Sequence, residues 1–226
     1  MQLYIGNKNY SSWSLRAWLL MTHAGIPFQE VKLRLDTEDD SDFKRRLAAV
    51  TPAGRVPVLV DDDGFAVWES LAIAETLAER HPEKRLWPAA PRARARARSL
   101  CAEMHAGFAA LRSHCGMNLE ASLPEIGRRV LAGQPDVARD LARIERMWET
   151  ELGEHGGPFL FGEFGIVDAF YAPVCTRLRT YALPVSPAAQ AYADRVLALP
   201  AMQRWIAEAL AEHDFVDFDE PYRRRP

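Results

Sequence analysis

The chain has 226 residues, 48% of them hydrophobic and 26% charged, which is ordinary globular usage and enough material for two domains, one of them small. Its 28 Lys and Arg against 31 Asp and Glu leave a net charge of −3, too near balance to call for a nucleic-acid partner. Three scattered cysteines, Cys101, Cys115 and Cys175, exclude a disulfide framework, and no run approaches the roughly 18 apolar residues that span a bilayer. The expected setting is cytoplasmic and reduced, without membrane contact.

The first eighty residues alternate in character. Leu3-Tyr4-Ile5 reads as a strand ending at Gly6, followed by a polar loop from Asn7 to Trp13. Ser14 is the expected cap of a first helix whose Leu15, Trp18 and Leu19 share a face, and Gly25 suits the left-handed position beyond its end. A strand is expected over Phe28 to Leu33 and a short helix over Asp42 to Val50. Val56 to Val60 reads as a buried strand, Asp61 to Gly64 as a hairpin turn, and Phe65 to Trp68 as the returning strand. Glu69-Ser70 opens a helix running to about Arg80, with Ser70 as its cap. The order β-α-β-α-β-β-α predicts a small mixed sheet with helices on both faces.

Pro82, Pro88 and Pro91 mark a linker over residues 81–91, separating a first domain (1–80) from a second (92–226). The second domain reads as all-α. Helices are expected over Arg92 to Leu119, Leu123 to Ala132, Gln134 to Leu152, Ile166 to Tyr181, Ala188 to Leu199 and Ala201 to Ala211. The arginines at 92, 94, 96 and 98 alternate with alanine and spread around a solvated helix start; a second basic run is Arg223 to Arg225.

Three features of the first domain carry chemistry. Pro57 interrupts an apolar strand, where it belongs either to an edge or to a cis bond that lets Val56 offer its N–H and C=O to an extended ligand. Glu69-Ser70 joins an acidic group to a helix terminus, which suits an amino-acid zwitterion. Ser11-Ser12-Trp13-Ser14-Leu15-Arg16 places hydroxyls at another positive helix end, suited to a bound thiolate. Lowering a thiol pKa of about 8.5 by two units needs roughly 2.7 kcal/mol. A charge-assisted hydrogen bond supplies about 1.5–3 kcal/mol and a helix terminus about 0.3–1 more.

These segments, Ser11 to Arg16, Pro52-Ala53-Gly54-Arg55-Val56-Pro57-Val58-Leu59 and Trp68-Glu69-Ser70-Leu71-Ala72-Ile73, resemble the glutathione transferase superfamily, and the resemblance runs over essentially the whole chain. The paired serines look like the serine-type classes, zeta above all, with theta and delta similar. The resemblance implies a thioredoxin-like N-terminal domain followed by an all-helical C-terminal domain. It implies a transferase that uses glutathione as co-substrate against a small electrophile and forms a homodimer. By the same resemblance, Ser11 activates the glutathione thiol, with Ser12 its competitor. Arg55, Val56, Glu69 and Ser70 hold the tripeptide, and Trp13, Met104, His105, Phe108 and Arg112 are candidates for the electrophile wall. Gly162 to Asp168 resembles the superfamily's C-terminal capping signature, with Gly165 where a Ser or Thr usually stands.

Two other readings of function remain. One is a zeta-like isomerase of maleylacetoacetate or maleylpyruvate type, for which Arg112, Arg177 and Arg179 are available cations. The other is a non-catalytic binding or interaction module. No metal is expected, since Cys101, His105, His114 and Cys115 lack zinc-site spacing. A serine hydrolase is set aside because no Gly-x-Ser-x-Gly elbow occurs. No phosphate loop is present, and a glutaredoxin-type reductase would want a cysteine at the first helix.

Overall fold

Strands Gln2–Ile5 (β1), Gln29–Lys32 (β2), Val58–Val60 (β3) and Ala66–Trp68 (β4) form one sheet in the order β2-β1-β3-β4, in a computed structural model that describes residues 1–223. β1 runs parallel to β2 and antiparallel to β3, which pairs antiparallel with β4. A parallel pair needs a crossover, and helix Ser12–His23 (α1) supplies it. Helix Asp42–Ala48 (α2) joins β2 to β3, and Ser70–Arg80 (α3) follows β4.

The period-two pattern of β3 explains how the sheet is covered. Leu59 joins Leu3 and Ile5 of β1 in the core shared with α1 and α3. Val58 and Val60 point to the other face, where Phe43 and Leu47 of α2 close a smaller cluster. The expected thioredoxin-like order of elements is present.

Among the described residues seven α-helices follow: Pro91–Ala106 (α4), Ala109–His114 (α5), Pro124–Gly133 (α6), Pro135–His155 (α7), Ile166–Tyr181 (α8), Pro187–Leu197 (α9) and Pro200–Leu210 (α10). Five of them begin on proline, whose fixed φ and missing N–H suit the first helical position. α8 is buried almost all round and packs against α1, α4, α6 and α9. Among the described residues no helix is long and apolar enough to cross a membrane.

Three expectations are corrected. The helix expected over Arg92 to Leu119 is broken into α4 and α5. Gly107 closes α4 by donating to the Glu103 carbonyl, which a Cβ at Gly107 would approach to 2.7 Å, and Phe108 turns the chain at φ 55°. Ser11, not Ser14, caps α1, and Ser14 is already inside it. Ser70 is the first residue of α3 rather than its cap; Glu69 holds the cap position at φ 69°, in the left-handed region. Of the basic run at the C-terminal end, Arg223 pairs with Glu120 and Glu220, while Arg224 and Arg225 lie outside the described residues.

Asp168 anchors the start of α8. Its Oδ2 accepts from Gly165 N–H at 2.9 Å; its Oδ1 accepts from Leu160 N–H at 3.1 Å and Tyr192 O–H at 2.9 Å. Gly165 has no side chain, so only this half of a capping box forms. Glycine stands there because a Cβ would come within 2.9 Å of the Leu86 carbonyl. Burial raises the Asp168 carboxyl to about 6 even with these donors around it. Asp168→Asn sets an amide N–H₂ against one of the three donors, so we expect a loss of about 1–3 kcal/mol in chemical denaturation, with the fold retained.

Candidate functional site

Two adjoining chambers lie along the boundary between the sheet-bearing part and the helices. The first, about 350 Å³, is walled by Arg55, Val56, Pro57, Glu69 and Ser70 on one side and by His105 and Arg112 on the other. The second, about 440 Å³, is walled by Ser11, Ser12, Arg112 and Arg177 and by Phe218 and Asp219 near the C-terminal end. Trp13, Arg55, Val56 and Arg112 border both.

The first chamber is rich in unspent hydrogen-bonding capacity. The Val56–Pro57 bond is cis, and the Val56 N–H and C=O have no partner among the described residues. Ser70 is 1% exposed, yet its Oγ has no partner either. It sits on the first turn of α3, whose leading N–H groups have no intrahelical acceptor. That end of the chamber is an anion cradle with a carboxylate beside it. The strained backbone of Glu69 costs of order 1–3 kcal/mol, a cost found where geometry serves a site. Glu69 Oε2 faces His105 Nε2 at 3.4 Å. Burial lowers the His105 pKa and the Glu69 charge opposes that shift, while Arg16 and Arg112 reinforce it.

In the second chamber the two serines differ. Ser11 Oγ accepts from Ser14 N–H at 3.4 Å and donates to Ser14 Oγ at 2.7 Å, while Ser14 Oγ also accepts from Gly6 N–H at 3.1 Å. The Ser11 proton is thus engaged in holding the loop onto α1. The Ser12 hydroxyl, one residue on, has no such partner among the described residues.

Behind both chambers lies a concentration of buried positive charge. Arg16 is 2% exposed and Arg177 3%, and neither forms an ion pair among the described residues. Arg177 Nε donates to the Cys115 carbonyl, but its Nη1 is unpartnered, as are Nε and Nη1 of Arg16. Burial, then Arg177 and Arg112, lowers Arg16 to about 9; burial, then Arg112, lowers Arg177 to about 10. Both remain cations at neutral pH. Trp13 stacks against two of the cations here: the guanidinium carbons of Arg16 and Arg112 stand 4.1 and 4.8 Å from its ring centroid.

Of the residues selected from sequence, Ser11, Ser12, Trp13, Arg55, Val56, Glu69, Ser70, His105 and Arg112 border these chambers. Met104 and Phe108 do not: Met104 belongs to the inward face of α4 with Ala97, Leu100 and Cys101, and Phe108, at the turn after α4, is buried in the same core. Arg177 was named only as an available cation, and it lines the second chamber; Arg179 is on the exposed side of α8. Arg16 lies in the serine motif, whose pattern by itself assigns it no role. Its signal was a charge inside the apolar run Leu15 to Met21. Phe218 and Asp219 carried no local signal.

The sequence matches two family descriptions, "Glutathione S-transferase, N-terminal domain" over residues 10–80 and "Glutathione S-transferase, C-terminal domain" over residues 99–208. It is 28% identical over 209 residues to a maleylacetoacetate isomerase of Pseudomonas aeruginosa, covering 90% of this chain and 94% of that one. It is 26% identical to glutathione S-transferase GstB of Escherichia coli, covering 88% of each. Among solved structures, a glutathione transferase homolog from Burkholderia gl BGR1 with bound glutathione superposes with a TM-score of 0.67 at 25% identity, covering 93% and 98%.

The two serines are separable by stability. Ser11→Ala removes the α1 cap and should lower unfolding free energy by about 0.5–2 kcal/mol. Ser12→Ala should stay within roughly 0.5 kcal/mol of the parent in the same urea titration.

Proposed function

The chain belongs to the glutathione S-transferase family, and from that premise we propose that it holds glutathione in the first chamber and turns its thiolate on an electrophile in the second. The observation that carries this reading is the buried Ser70 Oγ at the start of α3, unpartnered among the described residues, with Glu69 beside it and the unpaired Val56 backbone on the same wall. Ser70 and the α3 N-terminus accept the γ-glutamyl carboxylate. Glu69 takes the ammonium, and Val56 pairs with the cysteinyl unit as an added strand does. Arg55 serves the glycyl carboxylate. These groups spend binding energy on placing one sulfur beside one electrophile, which is catalysis by proximity and orientation.

Ser12 is the hydroxyl we assign to the thiolate, because the Ser11 proton is already donated to Ser14. The α1 N-terminus and the buried Arg16 add positive potential behind it. Ser11 then acts on the same chemistry indirectly, by holding the loop. The enzyme works in the cytoplasm as a two-fold dimer in this reading.

The cations of the second chamber favour a second, narrower reading: isomerisation of an unsaturated dicarboxylate. Arg177 and Arg112 offer guanidinium groups to substrate carboxylates, with no protein carboxylate paired to either among the described residues. Thiolate addition to a cis double bond makes the C–S bond and moves the π electrons toward the conjugated carbonyl. Rotation about the resulting single bond and expulsion of the thiolate then yield the trans product, so glutathione is regenerated. Several of its relatives are named maleylacetoacetate isomerase.

Titration with glutathione, followed by thiolate absorbance across pH, tests the general reading. Ser70→Ala should weaken binding about 10- to 100-fold, the equivalent of one charge-assisted hydrogen bond. Ser12→Ala should move the thiolate midpoint up by about one to two pH units with binding retained. Binding without turnover on any electrophile would instead leave a non-catalytic module, and absence of binding would overturn the reading.

The narrower reading is tested with maleylacetone and maleylpyruvate. Arg177→Met should cut kcat/KM for these acids about 10- to 100-fold while leaving activity on an uncharged electrophile near the parent value. Equal loss on both substrate types would show that Arg177 is structural.

A further inference from the structure

The last turn of α7 carries three side chains that neither chamber uses: Glu151, Glu154 and His155. At spacings of three and four residues they project from one face of the helix. One ligand-type atom from each lies within 4.8 Å of the other two. The Glu151 side chain is only 3% exposed, and its Oε2, which faces His155 Nε2 at 3.5 Å, has no hydrogen-bond partner among the described residues.

A buried carboxylate oxygen with no donor is costly, and a second carboxylate beside it adds to the cost. Burial and then Glu154 raise the Glu151 carboxyl; Arg96 and His155 oppose that shift, yet Arg96 forms no ion pair with it among the described residues. Glu154 is exposed, so the cluster opens to solvent on one side. The imidazole is held from the other direction by Phe161, whose ring centroid lies 4.7 Å away.

We propose that Glu151, Glu154 and His155 form a binding site for a divalent cation of the zinc class. One imidazole nitrogen with two carboxylate oxygens suits Zn²⁺, Co²⁺ or Ni²⁺, whereas Mg²⁺ and Ca²⁺ prefer oxygen alone. Around a tetrahedral ion with bonds of about 2.0–2.2 Å the donor atoms stand roughly 3.3–3.6 Å apart. Small side-chain torsions close the present spacing to that figure. Solvent completes the fourth position from the open side. The ion neutralises the orphan oxygen of Glu151 and ties Glu151, Glu154 and His155 of the last helical turn together, just before Gly156 ends α7 at φ 60°. Its role is to stabilise this corner, with no part in the sulfur chemistry.

The test is calorimetric titration of the chelator-treated full chain with Zn²⁺, paired with visible ligand-field absorption on adding Co²⁺. Saturable binding of one ion per chain is expected, with a melting temperature higher by about 5–10 °C at a hundredfold excess over Kd. His155→Ala should abolish it. Glu154→Gln, on an exposed side chain that cannot disturb packing, should weaken it at least tenfold. Failure of the parent chain to bind, or equal affinity in both variants and parent, overturns the site.

Discussion

Helix α1 serves two neighbours at once, and the site exists because it does. From Ser14 to Met21 every residue of α1 is buried, so no face of the helix meets water. One side packs on the sheet and α3; the other packs on α8 and α10. Trp18 meets Trp205 of α10 at 5.1 Å, and Arg16 lies 5.0 Å from the ring of Phe170 in α8. A helix buried all round cannot shift without opening two cores. Its N-terminus is therefore held rigidly, and the serine loop that precedes it inherits that rigidity through Ser11, Ser14 and Gly6.

The same burial concentrates positive charge. Among the described residues Arg16 and Arg177 have no carboxylate to balance them, and with Arg112 they repel one another across the back of the chambers. Stacking on Trp13 and Phe170 recovers part of the lost hydration. The remainder is stored as a field that favours an anion in front of it, whether thiolate or carboxylate. By contrast, Lys8 is equally buried but paired with both Glu30 and Glu208, and it pins the loop before α1 to α10. Lys8 is spent on architecture, while Arg16 and Arg177 stay without a paired carboxylate among the described residues.

Phe218 and Asp219, near the C-terminal end, border the second chamber on one side. Glu220 is 5% exposed and accepts hydrogen bonds from Tyr10 and Asn118 at 2.8 Å and from Arg223 at 2.9 Å. Arg34 holds Asp214 from the sheet side, and Tyr222 donates to the His114 carbonyl. These anchors set Phe218, 52% exposed, and Asp219 at the chamber wall. Burial and the neighbouring Glu220 raise the Asp219 carboxyl to about 6, which makes this wall weakly acidic near neutral pH.

Sequence alone determined the order of elements, because strand alternation, proline-led helix starts and turn chemistry are local. It also singled out Val56-Pro57 and Glu69-Ser70 as dipeptides with unusual backbone roles, while the fold decided that the Val56–Pro57 bond is cis and that Glu69, not Ser70, holds the cap of α3. Tertiary structure decided what depends on contacts between distant segments. Ser11 and Ser12 look alike in a string, and only the position of Ser14 and Gly6 around them engages one hydroxyl and spares the other. Met104 and His105 are neighbours in α4, yet Met104 falls on the face packed into the core with Ala97, Leu100 and Cys101, while His105 borders the first chamber; Phe108, at the turn between α4 and α5, is buried, while Arg112 of α5 borders both chambers. Arg16 and Arg177 are 161 residues apart in numbering and become one electrostatic feature only when α1 packs on α8. Burial is a property of the assembled core, and no local pattern announces which charges it will leave unpaired.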